Sequence, residues 1–223
     1  MKEIMNFKSN KKILNLVFLS AFVVSCSKKI EVQVPGLTES SGQEIGADGL
    51  LASGVGVLDF FAINRKFSSL TMVAHTKGNV RQSYNTLKGS LPQTSHPSGV
   101  SGNAILSLAK HAALYCDEAF NQPTANQLNG TPVRQLILPG FDFTRNPTQA
   151  FTAQTKPQIA AALMDHFWGT GLTRAEGSEA TILELFDTLT ANIPQNENDS
   201  GTTGNVLVGL CTTLLISFNN ISL

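Results

Sequence analysis

Reactive and metal-ligating side chains are scarce in this chain of 223 residues, and each scarcity removes a chemistry. The four histidines are His75, His96, His111 and His166, and none forms an H-E-x-x-H motif. No C-x-x-C pair exists either, so no metal site is expected. C-x-x-C-H, required for covalent haem attachment, is missing. So is a G-x-S-x-G nucleophile elbow. The glycines of "SGVGVLDFF" lack both a preceding strand and the Gly-Lys-Ser/Thr ending of a phosphate loop. No cofactor is expected. Charge is low, at 14% of residues, and shows no basic stripe, which leaves nucleic acid out as an expected partner.

The remaining candidates for chemistry have simpler explanations. Asp165 and His166 are neighbours on a helix, so their side chains diverge by about 100° and do not form a working pair. Asp117 with Glu118, and Glu184 with Asp187, fit solvated helix surfaces. His111, Tyr115 and Glu118 share a face bordering an apolar stripe, and a solvent-facing polar edge accounts for them. Trp168, beside Gly169, reads as a buried aromatic anchor near a glycine C-cap; ligand stacking is the alternative.

What the chain does have begins with "ILNLVFLSAFVVSCSKK". Lys2, Lys8, Lys11 and Lys12, offset only by Glu3, precede the run Ile13 to Ser25. A membrane span needs about 20 residues, so this run suits the apolar region of a secretory signal instead. Its end, Val23-Val24-Ser25-Cys26, resembles the lipobox of bacterial lipoproteins, with Val23 standing where that family favours Leu. The resemblance implies removal of residues 1–25 and acylation of Cys26 with fatty acids such as palmitate. One chain holds a protein at a bilayer marginally and two or more hold it stably, at about 0.8 kcal/mol per buried CH₂. Ser27, rather than Asp, implies an outer-membrane address more than an inner-membrane one. An ordinary signal peptide, or an uncleaved anchor containing a cysteine, is the alternative. Loss of residues 1–25 would remove four of the 16 basic and one of the 16 acidic side chains, leaving a net charge of about −3.

Residues 26–47 read as a lipidated, flexible tether, within which Ile30, Val32 and Val34 could form one edge strand ended by Pro35. Residues 48–223 read as a single compact multi-helix domain, mainly α. In "VLDFFAINRKFSSLTMV" the spacing puts Leu58, Phe61, Phe67 or Leu70, and Val73 near one face. "GNVRQSYNTLKGSLP" offers Val80, Tyr84 and Leu87, closed by Gly89 and Pro92. "SGNAILSLAKHAALYCDEAF" is the clearest helix, with Ser101 as N-cap and a stripe of Ile105, Leu108 or Ala109, Ala112, Cys116 and Phe120. Residues 121–156 form a connection in which "RQLILPGFDF" could be extended. Pro157 should open a helix with Ile159, Leu163 and Phe167 inward. Ser178 should cap another that buries Ile182, Leu185, Phe186 and Leu189. After the loop "PQNENDSGTTG", the last helix carries Val208, Cys211, Leu214 or Leu215, and Phe218. Five or six helices result.

With Cys26 acylated, Cys116 and Cys211 form an even pair in an oxidising compartment, each mid-helix within an apolar stripe. A bridge would join the first and last major helices; two buried free thiols are the alternative. Tyr115-Cys116 together with Cys211-Thr212, Leu214, Leu215 and Ser217 is similar to a pattern in uncharacterised secreted bacterial proteins, which implies a helical, bridged architecture and no chemistry. The expected function is therefore that of a lipid-anchored cell-envelope protein, a non-catalytic interaction or structural module meeting another envelope protein. A binding protein with an inter-helix pocket for a small apolar or peptidic ligand near Trp168, Phe141 and Phe143 is the alternative, and an enzyme the third reading.

Overall fold

A computed structural model describes residues 58–89, 91, 102–169, 178–191 and 193–217. The chain divides into Met1–Ala47 and Asp48–Leu223, and all the described residues lie in the second unit. The expectations for Cys26, the tether, Pro92, Ser101 and Phe218 fall outside them. Among the described residues the helices are α1 (Phe60–Thr71), α2 (Gly78–Leu87), α3 (Gly102–Asn121), α4 (Val133–Ile137), α5 (Pro147–Ala150), α6 (Thr155–Trp168), α7 (Ser178–Ala191) and α8 (Ser200–Leu215). Two strands of two residues each, β1 (Gln127–Leu128) and β2 (Thr131–Pro132), pair antiparallel as a hairpin. Its turn puts Asn129 and Gly130 at positive φ, 51° and 80°, a conformation that Asn and Gly adopt at low cost. The chain is mainly α, as its periodicity predicts.

α3 and α8 are the central pair. α8 is apolar on nearly every side, Val206, Leu207, Leu210, Leu214 and Leu215 among its buried residues, and a helix without a polar face must be enclosed. It packs against α3, α5, α6 and α7, while α1, α2 and α4 rest on α3. At the crossing of the central pair Cys116 and Cys211 form a disulfide, with Cα atoms 5.9 Å apart and neither residue exposed. Among the described residues, two shorter helices precede the one that carries Cys116.

Start signals in the sequence set several helix ends. Asp59 Oδ1 accepts the Ala62 N–H at 2.8 Å and caps α1. Asn146 Oδ1 caps α5 through the Gln149 N–H at 3.0 Å, with Pro147 following as first helical residue. Asp199 Oδ1 takes the Thr202 N–H at 2.8 Å and starts α8.

Five expectations need correction. In the first segment Phe67 and Val73 are buried as expected, but Phe61 is 58% exposed and Phe60, with Ile63, Asn64 and Thr71, faces inward in its place. "RQLIL" belongs to the short helix α4 rather than to an extended piece. α6 begins at Thr155, two residues before Pro157, because Thr155 and Thr152 exchange hydrogen bonds that close the turn ahead of it. α8 begins within "SGTTG", where glycines and β-branched threonines disfavour helix locally but burial against α3 and the Asp199 cap prevail. Ile105, assigned to the α3 stripe, is 37% exposed, while Leu108, Ala109, Ala112 and Phe120 are buried.

Candidate functional site

The polar face of α3 is buried. His111 and Tyr115 are wholly enclosed and Glu118 is 6% exposed, which overturns the expectation of a solvent-facing edge. What encloses them is α1 and α2, from distant segments of the sequence, and the loop that directly follows α3.

Two networks result. In the first, His111 Nε2 stands 2.8 Å from Asn64 Oδ1 on α1, and Nδ1 stands 3.1 Å from Ser83 Oγ on α2. The Tyr115 hydroxyl donates to the same Asn64 Oδ1 at 2.7 Å and to the Asn64 carbonyl at 3.1 Å. A neutral imidazole completes this set, Nε2–H donating to Asn64 and Nδ1 accepting from Ser83. Burial pushes the His111 pKa down to about 4. Burial likewise raises that of Tyr115, against a hydrogen bond with Ser68. The rings of Phe60 and Tyr115 lie 5.2 Å from the His111 ring and leave it in an aromatic enclosure.

In the second network Glu118 is the hub. Burial alone would raise its pKa, but hydrogen bonds from Lys77, Asn126 and Asn79, with the Lys77 charge, outweigh burial and hold it below the ordinary carboxylate value. Lys77 Nζ lies 2.8 Å from Oε2, and Asn126 Nδ2 donates to Oε2 at 2.7 Å. Asn79 Nδ2 donates to Oε1. Lys77 Nζ also donates to Asn126 Oδ1 at 2.7 Å, which closes the ring of partners. Both networks tie α1, α2 and the post-α3 loop to α3. His111 and Tyr115 are engaged with Asn64 and Ser83, and Glu118 with Lys77, Asn79 and Asn126.

The other sequence-predicted residues are placed apart. Trp168 packs at the end of α8, its Nε1–H donating to Ser217 Oγ at 2.8 Å and to the Leu214 carbonyl at 3.4 Å. Phe143 is buried beneath Arg134, whose guanidinium carbon lies 4.5 Å from the ring centroid. Phe141 meets Phe143 edge-on at 4.8 Å and lines a shallow cavity of about 300 Å³ with Asp142, Arg145 and Ile159. Neither Trp168 nor Phe143 lines that cavity. Asp142 there is occupied: hydrogen bonds from Thr144, then the Arg145 guanidinium at 3.0 Å, hold its carboxyl below the ordinary value. His166 Nε2 donates to the Leu70 carbonyl at 2.7 Å and pins α6 to the end of α1. Among the described residues no group of three His, Cys, Asp or Glu side chains could hold a metal ion, and no helix is long and apolar enough to cross a membrane.

A second, wider groove of about 710 Å³ lies where α5, α6, α7 and the Gln195–Asn198 turn meet. The sequence reading missed it, because its polar residues come from four separate segments and none forms a motif. Comparison with protein-family models, with curated proteins and with solved structures gives no match.

Proposed function

We propose that this chain is a lipid-anchored protein of the bacterial cell envelope, held at a membrane through acylated Cys26, with a helical body that serves as a non-catalytic interaction or structural module. The observation that carries the reading is the stretch Val23-Val24-Ser25-Cys26 behind a basic segment and a short apolar run. A buried Cys116–Cys211 disulfide supports it independently, since such bonds persist in oxidising compartments outside the cytoplasm. The non-catalytic part rests on the fate of the acid–base side chains in α3, which cross-link helices inside the core. Ser27 favours the outer membrane over the inner. The partner is another envelope protein.

The second reading, a binding protein for a small apolar or peptidic ligand, is favoured by the cavity at Phe141, although Trp168 and Phe143 do not line it.

The test is a Cys26→Ala variant expressed in a lipoprotein-processing bacterium, alongside crosslinking in intact cells. The wild-type chain is expected in the detergent phase and the variant in the aqueous phase. Equal partition of the two into detergent would contradict lipid attachment. A crosslinked envelope protein is expected, and wild-type cells that yield only uncrosslinked chain count against the interaction module.

A further inference from the structure

The geometry points to a saccharide-binding site in the groove between α5, α6, α7 and the Gln195–Asn198 turn, a function separate from the lipid anchor and independent of it. Its volume, about 710 Å³, falls within the range of about 300–1,000 Å³ in which proteins hold small ligands.

Charge is the first discriminator. The groove contains one cation and one anion, and they are paired: Lys156 Nζ lies 2.6 Å from Asp187 Oδ1 and donates to Thr190 Oγ1 at 3.0 Å. A phosphorylated or otherwise strongly charged ligand would meet no unopposed charge. The lining mixes apolar residues, Ala191 and Ile193 among them, with the polar side chains of Thr148, Thr190, Gln195 and Asn198. The groove suits an uncharged molecule that carries both polar groups and an apolar face.

Hydrogen-bonding capacity narrows the class. Asn198 Oδ1 already accepts from the Thr148 N–H at 3.4 Å and from the Thr148 hydroxyl at 3.1 Å, which leaves its NH₂ group as a donor. Asp187 is 70% exposed, and with Oδ1 taken by Lys156 it keeps Oδ2 as an acceptor. The Gln195 side-chain amide hydrogen-bonds to no other described residue and offers both a donor and an acceptor. The lining thus offers both donors and acceptors on planar amide and carboxylate groups. Adjacent hydroxyls, each able to donate and accept at once, match such a set; a ligand of acceptors alone or donors alone does not. Ala191 and Ile193, above the buried Phe151, give the groove an apolar side against which the carbon face of a pyranose ring would lie.

The experiment uses the full-length chain in a zwitterionic detergent, because glycosidic detergents would compete. It is titrated separately with the N-acetylglucosamine tetramer, with maltotetraose, with tetraalanine and with decanoate. Amide shifts and saturation transfer are read by NMR. At least one saccharide is expected to move the amides of Thr148, Asp187, Thr190, Gln195 and Asn198. Response to the first saccharide places the ligand among amino-sugar polymers, and response to the second places it among glucans. Gln195→Ala removes a side chain that hydrogen-bonds to no other described residue, and Asn198→Ala removes the Asn198 NH₂ donor. Each is expected to weaken saccharide affinity about five- to tenfold, with an unchanged melting temperature for Gln195→Ala. Silence toward both saccharides overturns the site. So does full affinity in both variants, or a response of these same amides to tetraalanine or decanoate in place of sugar.

Discussion

His111 carries the strongest residue-scale consequence. Its pKa is about 4 in the fold against an ordinary value of 6.5, so between those values the unfolded chain binds a proton that the folded chain does not. Stability then rises with pH across that window and is lost as pH falls from 6.5 toward 4, by roughly 3 kcal/mol at most. Glu118 acts lower: its depressed pKa gives stability that is present above the ordinary carboxylate value and lost as pH falls through the folded one. The two windows separate the two networks. Urea unfolding at pH 7 and pH 5 is expected to show a lower midpoint at pH 5, and a His111→Gln variant is expected to lose most of that difference. A wild-type midpoint indifferent to pH over this range would contradict the buried, neutral imidazole. The pattern was hard to read in sequence because Asn64 lies 47 positions from His111, and Lys77 lies 41 positions from Glu118. Locally, three polar residues beside an apolar stripe look like the rim of a surface helix. The clue available was that Leu108, Ala109, Ala112 and Ala113 flank His111 on both sides.

At the scale of elements, the α3–α8 contact is set by a missing side chain. A Cβ placed on Gly204 would come 2.1 Å from Asn121 Oδ1. Asn121 is not free to swing away, since its Nδ2 donates to Asp117 Oδ1 at 2.8 Å and to Asn205 Oδ1 at 3.1 Å. Glycine in a helix interior ordinarily costs about 0.5–1 kcal/mol relative to alanine. Here the sign reverses. Gly204→Ala is expected to destabilise by about 1–3 kcal/mol as the Asn121 hydrogen bonds break. Thermal or urea unfolding checks it; a variant more stable than wild type would show that the helices cross less closely. Periodicity located α2, α3, α6 and α7 and most of their inward residues, Val80, Ile159, Leu163, Phe167, Ile182 and Phe186 among them. It failed where local and global preferences conflict. α8 starts among Gly and Thr residues because it is enclosed on every side, and α4 and α5 are too short to show a period.

For the whole molecule, the disulfide is the largest single constraint. Cys116 and Cys211 are 95 positions apart, and the loop-entropy model assigns such a closure about 4–5 kcal/mol. A Cys116→Ala/Cys211→Ala double variant is expected to unfold at lower urea by a comparable free energy, while reductant is expected to lower the wild-type midpoint and leave the variant unmoved. Equal midpoints for both would contradict a closed bridge. The pairing was legible from two mid-helix cysteines in apolar stripes. The groove beside α7 was not, because Thr148, Lys156, Asp187 and Asn198 meet only through tertiary packing.

Intact-mass spectrometry of the protein purified from its own membranes tests the central claim most directly. The account predicts a chain that starts at Cys26, heavier than its sequence mass by at least two fatty-acyl groups and lighter by two hydrogens for the Cys116–Cys211 bond. A chain that keeps residues 1–25, or one whose Cys26 bears no acyl group, would contradict it.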